Sequence, residues 1–178
     1  MLNATVVVDF EFYSTLSAKY KVIFYCKNRC YFADKLILKN PSAMGKQAVK
    51  TLVITDKKLR NKIMEMNRKI GGWDEGFDPF YGAPALFIVL SEKDWHNKVY
   101  DGSLVMGNLM LAAHSLGLGS IWIHRAKEEF ESAEGKEILR QLGIEGEWEG
   151  IGHCAVGYMD GELPKPAPRK DGRVVWAE

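Results

Sequence analysis

The feature that most constrains this chain is the run at residues 102–117, GSLVMGNLMLAAHSLG. It contains no acidic or basic residue apart from His114, and apolar side chains fall on nearly every side of a helical wheel. A helix of that kind is stable only when covered nearly all round. A chain of 178 residues is expected to form one domain with a sizeable core. A domain of that size covers one side of a central helix well and the other side poorly. A second copy of the chain is the natural source of the missing cover, so the run predicts a dimer. Asp101 stands just before it, where a capping carboxylate would accept the first free amides. Gly117 stands where a helix-ending glycine belongs.

The segments around this helix alternate in type. Residues 49–55, VKTLVIT, read as a short strand. Asp56 then caps a helix predicted to run through Asn67, with Leu59, Ile63 and Met66 on one face. Residues 71–82 hold four Gly, one Pro and four aromatics, which predicts a loop. The run PALFIVLS at 84–91 reads as a strand buried on both faces. GSIWI at 119–123 is a strand, 127–142 a helix, and GHCAVG at 152–157 a last strand. From Gly161 the tail carries three of the six prolines and should run extended. Strands alternating with helices give an α/β or α+β layered fold. Residues 1–39 are rich in aromatic and β-branched residues and read as strand, without a turn signal before Asn40-Pro41.

Composition removes several classes of function. Lys+Arg 24 against Asp+Glu 23 leaves a net charge of +1, which disfavours nucleic acid as the main ligand. No apolar run reaches the roughly 20 residues of a membrane span, and the start has no secretory pattern. Three cysteines fit a reducing cytoplasm better than a disulfide scaffold. Cys26 and Cys30 lack a second ligand pair and read as free thiols; Cys154 reads as a small core residue. His96, His114, His124 and His153 form no metal-binding helix pattern, so no metal is expected. His114 and His153 read as structural. No phosphate loop or serine nucleophile motif occurs, so hydrolysis has no support.

Three groups of residues are placed to meet a ligand. His124 and Arg125 follow a strand end, where they would steady an anion or polar group, or simply be solvated. The loop PSAMGKQ (41–47) combines hydrogen-bonding Ser42 and Gln47 with small residues that permit close approach. Arg169-Lys170 follows a proline-stiffened segment, either as a phosphate site or as a solvated basic tail.

In this order and spacing, the pieces resemble the nitroreductase family of flavoproteins, in its short single-domain form. PSAMGKQ (41–47), NRKIGGWDEGFDPFYGAP (67–84), YDGSLVMGNLMLAAHSLGLGS (100–120), WIHRAKEEFE (122–131) and GYMDGELPKPAPRK (157–170) carry the resemblance, over about three quarters of the chain. It implies an α+β fold with a central mixed or antiparallel sheet flanked by helices, and an intertwined homodimer with the long helix in the interface. It implies FMN, held without covalent attachment between the subunits. NAD(P)H would reduce the flavin, and a nitroaromatic, quinone or similar small acceptor would then reoxidise it. By the family's pattern, Pro41, Ser42, Ala43 and Gln47 contact the flavin, and Gly119 and Ser120 lead into the strand that ends beside it. His124 and Arg125 lie near its reactive edge; Arg169 and Lys170 bind its phosphate. No catalytic acid or base is assigned.

Two departures stand out. Gly45 occupies a position where many members have Asn. The Arg-Arg-Ser-x-Arg opening of the family is replaced by FEFYSTLSAKY, without arginine, and a reading-frame change or divergent start would explain the abrupt join at Pro41. Each charge-assisted contact to a bound anion is worth roughly 1.5–3 kcal/mol. Losing two or three would weaken FMN by several powers of ten. The alternative expectation is therefore a dimer of the same fold with weak or lost FMN binding and no catalysis.

Overall fold

The strand β2 (Ala85–Glu92) is buried along nearly its whole length because both of its neighbours and both of its faces are covered. The structure is a computed structural model and describes residues 40–161 and 165–177. The strand-like stretch 1–39, with Cys26 and Cys30, lies outside the described residues.

Four strands form one sheet in the order β1-β2-β4-β3, where β1 is Val49–Ile54, β3 is Gly119–Ile123 and β4 is Trp148–Gly157. Every pairing among them is antiparallel. Alternation along β2 separates two cores. Phe87 and Val89 face α2 (Lys98–Ser115), joining Val105, Met106, Leu109, Ala113 and Cys154. Leu86, Ile88 and Leu90 face the opposite way, joining Ile63 of α1 (Lys57–Gly71), Phe130 of α3 (Ala126–Glu131) and Ile138 of α4 (Ala133–Gln141). One helix thus covers one face and three cover the other, an α+β layered architecture.

The sequence places most elements well. Asp56 caps α1 by accepting the Leu59 amide, and the helix runs one turn beyond Asn67 until Gly72 ends it at φ 68. Gly117 closes α2 at φ 71, its amide bonded to the His114 carbonyl. Three expectations change. Asp101 does not cap α2, which starts earlier at Lys98; its carboxylate is turned to other donors. The helix predicted over 127–142 is two helices, broken at Ser132, whose hydroxyl caps α4 at the Gly135 amide. Ser132 is extended there, and the turn brings the Gly135 backbone so close to Glu129 that an added Cβ would sit 2.0 Å from its carbonyl oxygen. The last strand begins at Trp148, earlier than its apolar run, because Glu149 and Gly150 pair with Ser91 and Leu90.

The far side of α2 is uncovered in the single chain: Tyr100, Leu104 and Leu111 are 73%, 49% and 68% exposed. Among the described residues no helix is long and apolar enough to cross a membrane. The tail 165–177 is exposed and forms no helix or strand.

Candidate functional site

Strand directions bring two of the sequence-predicted groups to the same end of the sheet. The 41–47 loop enters β1, whose first residue pairs with the end of β2. His124 and Arg125 leave β3, whose last residue pairs with His153 of β4. In the order β1-β2-β4-β3 these are opposite edges, three strand spacings or about 14 Å apart. Gly119 and Ser120 lie at the other end of β3, paired with Gly157 and Val156. Arg169 and Lys170 lie in the exposed tail, with no ion pair among the described residues.

The 41–47 loop is shaped by three residues with left-handed backbone, Met44 (φ 53), Gly45 (φ 65) and Gln47 (φ 54). Gly45 lies in open space, so no neighbour excludes a side chain there, while its left-handed backbone favours glycine. Ser42 Oγ accepts the Gln47 amide at 3.0 Å, which leaves the hydroxyl proton available to donate outward. The Ala43 amide is held from the other side by Asp101 Oδ1 at 2.9 Å. Asp101 Oδ2 accepts the Trp95 indole N–H at 2.8 Å, so this buried carboxylate pins the loop to the start of α2.

At the β3–α3 corner, Arg125 adopts φ 80, which turns the chain sharply from strand into helix. Its guanidinium stacks 4.3 Å above the Trp73 ring. Trp73 is fixed in turn, because Arg68 donates to its carbonyl at 2.9 Å. Arg68 also donates twice to Glu65, which holds that carboxyl below its ordinary range. Trp73 opens an aromatic ladder, with Phe77 at 5.1 Å and Tyr81 a further 6.3 Å along. Asp78 stiffens this loop by accepting the Phe80 and Gly82 amides and pairing with Arg60 at 2.6 Å. The His124 side chain is exposed and stands beside Trp122, with ring centroids 6.1 Å apart. The Trp122 indole nitrogen is buried and has no partner among the described residues.

Beneath the corner lies a polar cluster that sequence reading did not assemble. Asn67 donates to the His124 carbonyl at 2.9 Å and to Glu129. The other Glu129 oxygen meets His153 Nε2 at 2.8 Å, and His153 Nδ1 faces the Ile123 carbonyl at 3.3 Å. All three side chains are fully buried. The signal in the sequence was His153 inside an apolar run, since a buried imidazole requires a polar partner. Nothing in the sequence named Glu129 as that partner. No cluster of three or more potential metal ligands occurs among the described residues.

The model of the nitroreductase family matches residues 37–158. This chain belongs to the nitroreductase family. The match begins just before the 41–47 loop and ends at Tyr158, so it spans both sheet-end segments and stops short of Arg169 and Lys170. Solved structures agree. A nitroreductase with bound FMN from Bacteroides fragilis is 25% identical with a TM-score of 0.70, covering 85% of this chain and 90% of its own. An iodotyrosine deiodinase bound to FMN and 3-iodo-L-tyrosine is also 25% identical, with a TM-score of 0.60, covering 83% and 85%. A nitroreductase with bound FMN from Desulfitobacterium hafniense shares the fold at 22% identity and a TM-score of 0.72, covering 83% and 85%. No curated protein matches the chain.

Proposed function

We propose that this member of the nitroreductase family is an FMN-dependent oxidoreductase. It would act as a single-domain homodimer and pass hydride from NAD(P)H to a nitroaromatic, quinone or similar small acceptor. The observation that carries this reading is the family match across both sheet-end segments, together with the uncovered apolar stripe on α2. One chain holds the 41–47 loop and the His124-Arg125 corner at opposite edges of the sheet. A twofold partner packed on α2 would bring one chain's loop toward the other chain's corner.

The donor chemistry suits a flavin. Ser42 Oγ keeps a proton to donate, and the Gln47 and His124 side chains are exposed. These are hydrogen-bonding groups of the kind that hold a polar ring edge. Arg125 is steadied by Trp73, and Arg169 and Lys170 supply exposed cations for a phosphate. Pro41 and Ala43 would flank the ring from the loop, and Gly119 and Ser120 would set the strand that leads to the corner. When bound, FMN supplies hydride acceptance from the nicotinamide and donation to the acceptor, in two separate steps. The Trp73, Phe77 and Tyr81 ladder offers flat aromatic surface on which an acceptor ring would stack. Solvent supplies protons to the reduced product, so no side chain is assigned as acid or base.

A second reading is favoured by one observation. The segment that should contribute the family's arginines reads FEFYSTLSAKY, so the phosphate cations identified are those of the tail. A dimer of the same fold with weak or lost FMN binding follows from that.

The test is the visible absorption spectrum of protein purified without added cofactor, and again after FMN is added and the excess removed. A flavin spectrum at about one FMN per chain, bleached by NAD(P)H and restored by a quinone, is the expected result. No retained flavin after reconstitution overturns the oxidoreductase in favour of the second reading.

A further inference from the structure

We propose that Glu129 is a positioning residue for the His124-Arg125 corner, acting through Asn67 and His153; this rests on the reading of that corner as flavin-facing. Glu129 touches neither segment that would meet a ligand. It instead receives Asn67 on one oxygen and His153 on the other. Each of those partners grips a backbone carbonyl at the end of β3: Asn67 that of His124, His153 that of Ile123. The cluster therefore ties α1, α3 and β4 to the last two residues before Arg125. Those are the residues whose placement decides where a left-handed Arg125 points its amide and its guanidinium.

The surroundings leave the corner little other support. Arg125 makes no side-chain cap to α3. Its guanidinium rests on Trp73, a half-exposed loop residue. On the β4 side, Gly150 lies directly against Ala126, close enough that an added Cβ would sit 2.2 Å from its carbonyl carbon and oxygen. The corner is thus pressed from one side by backbone and held from beneath by hydrogen bonds to a buried carboxylate. Satisfied buried polar groups fix one arrangement; in this cluster the Asn67 amide nitrogen, both Glu129 oxygens and both His153 nitrogens have partners, and Asn67 Oδ1 is left without one among the described residues. Phe80 closes the cluster off by packing on His153, with centroids 5.1 Å apart.

Two substitutions separate positioning from plain stability. In Glu129→Gln the amide oxygen still accepts from Asn67 and the amide N–H2 donates to His153 Nε2, with His153 free to carry its proton on Nδ1 and donate to the Ile123 carbonyl, so every contact of the cluster can form. In Glu129→Met neither contact can form. Leu52→Ala, in β1 at the opposite edge of the sheet from β3, serves as a control that lowers the stability of the same core without removing a hydrogen bond of the cluster. The experiment measures amide hydrogen exchange in the full chain at position 129, whose N–H donates to the Arg125 carbonyl at 3.0 Å, corrected for the side chain's effect on the intrinsic rate, and in parallel the absorption spectrum of bound FMN. In Glu129→Met, exchange at the corner should rise about tenfold over the Leu52→Ala control, the factor that the upper end of an ordinary hydrogen bond's worth represents. Glu129→Gln should stay near wild type, and the flavin band should shift only in Glu129→Met. Corner exchange in Glu129→Met no faster than in Leu52→Ala overturns the proposal, as does a Glu129→Gln variant as loose as Glu129→Met. If wild-type protein retains no FMN, the oxidoreductase reading fails, and the exchange comparison still decides whether Glu129 holds the corner.

Discussion

The carboxylate of Asp101 accepts the backbone amide of Ala43 at 2.9 Å across 58 residues of chain. Its second oxygen is taken by the Trp95 indole, and the group is 2% exposed. Asp101→Asn leaves one acceptor for two donors and turns an amide N–H2 toward the other, which should cost about 1–3 kcal/mol. Trp95→Phe removes one donor and leaves the Ala43 contact in place. If the 41–47 loop holds flavin, Asp101→Asn should lose FMN affinity beyond its loss of stability, and Trp95→Phe should keep it. Denaturant unfolding and an FMN titration on the three proteins check this.

Arg125 combines a strained backbone with a favourable side-chain contact. Left-handed backbone costs a non-glycine residue roughly 1–2 kcal/mol. The stack on Trp73 returns about 0.5–1 kcal/mol at such a partly exposed site. Arg125→Ala should therefore destabilise by the size of the stack. Arg125→Gly should unfold later than Arg125→Ala, by about 1 kcal/mol, because it also releases the strain. Equal midpoints for the two variants would contradict the strain assigned at φ 80.

Gly150 is a position where close backbone approach excludes any side chain. An added Cβ would meet the Ala126 carbonyl carbon and oxygen at 2.2 Å, and neither atom can move without shifting α3. Gly150→Ala should cost at least the upper part of the roughly 1–3 kcal/mol range for overpacking. Gly107→Ala, on the open side of α2, meets nothing within 4 Å in the single chain, so it should be neutral or stabilising in a monomer and costly only if a partner subunit packs on that face. Thermal unfolding of the pair measures the difference.

Cys154 lies within the α2 core, and burial pushes its thiol up to about 12. The unfolded thiol titrates near 8.5. The folded state therefore holds its proton more tightly, and the resulting stability is fully present below about pH 8.5. It should be lost as pH rises toward 12, at up to about 1.4 kcal/mol per unit. Cys154→Ser should lose most of that slope. Peptide mapping after iodoacetamide treatment at neutral pH should find Cys154 unmodified until the protein is unfolded.

Leu104 and Leu111 lie two helical turns apart on the exposed side of α2. Buried at a subunit interface, either would tolerate a charge badly. Leu111→Glu should shift sedimentation from dimer to monomer and release FMN with it, if the flavin sits between two chains. A monomeric wild-type protein that still binds FMN would remove the dimer from the proposed function.

The sequence determined the elements and their periodicities, because those follow from local chemistry. The apolar run of β2 reads as a strand covered on both faces, and Asp56 and Gly117 bound their helices by backbone geometry that needs no distant partner; Gly72, read as loop, ends α1 one turn past the expected Asn67. It also carried the order of motifs through which the family is recognised. Tertiary structure decided what polar side chains do when their partners are far along the chain. Asp101 looked like a cap, yet is turned to Ala43 and Trp95 because α2 starts a turn earlier. The predicted helix over 127–142 is broken at Ser132, and the break lets Gly135 pack on Glu129. Glu129 and His153, separated by 24 residues, meet because β3 and β4 pair and α3 folds back beneath them. Local propensity is fixed by neighbours within a few residues, whereas the partner of a buried charge is fixed only once the layers have packed.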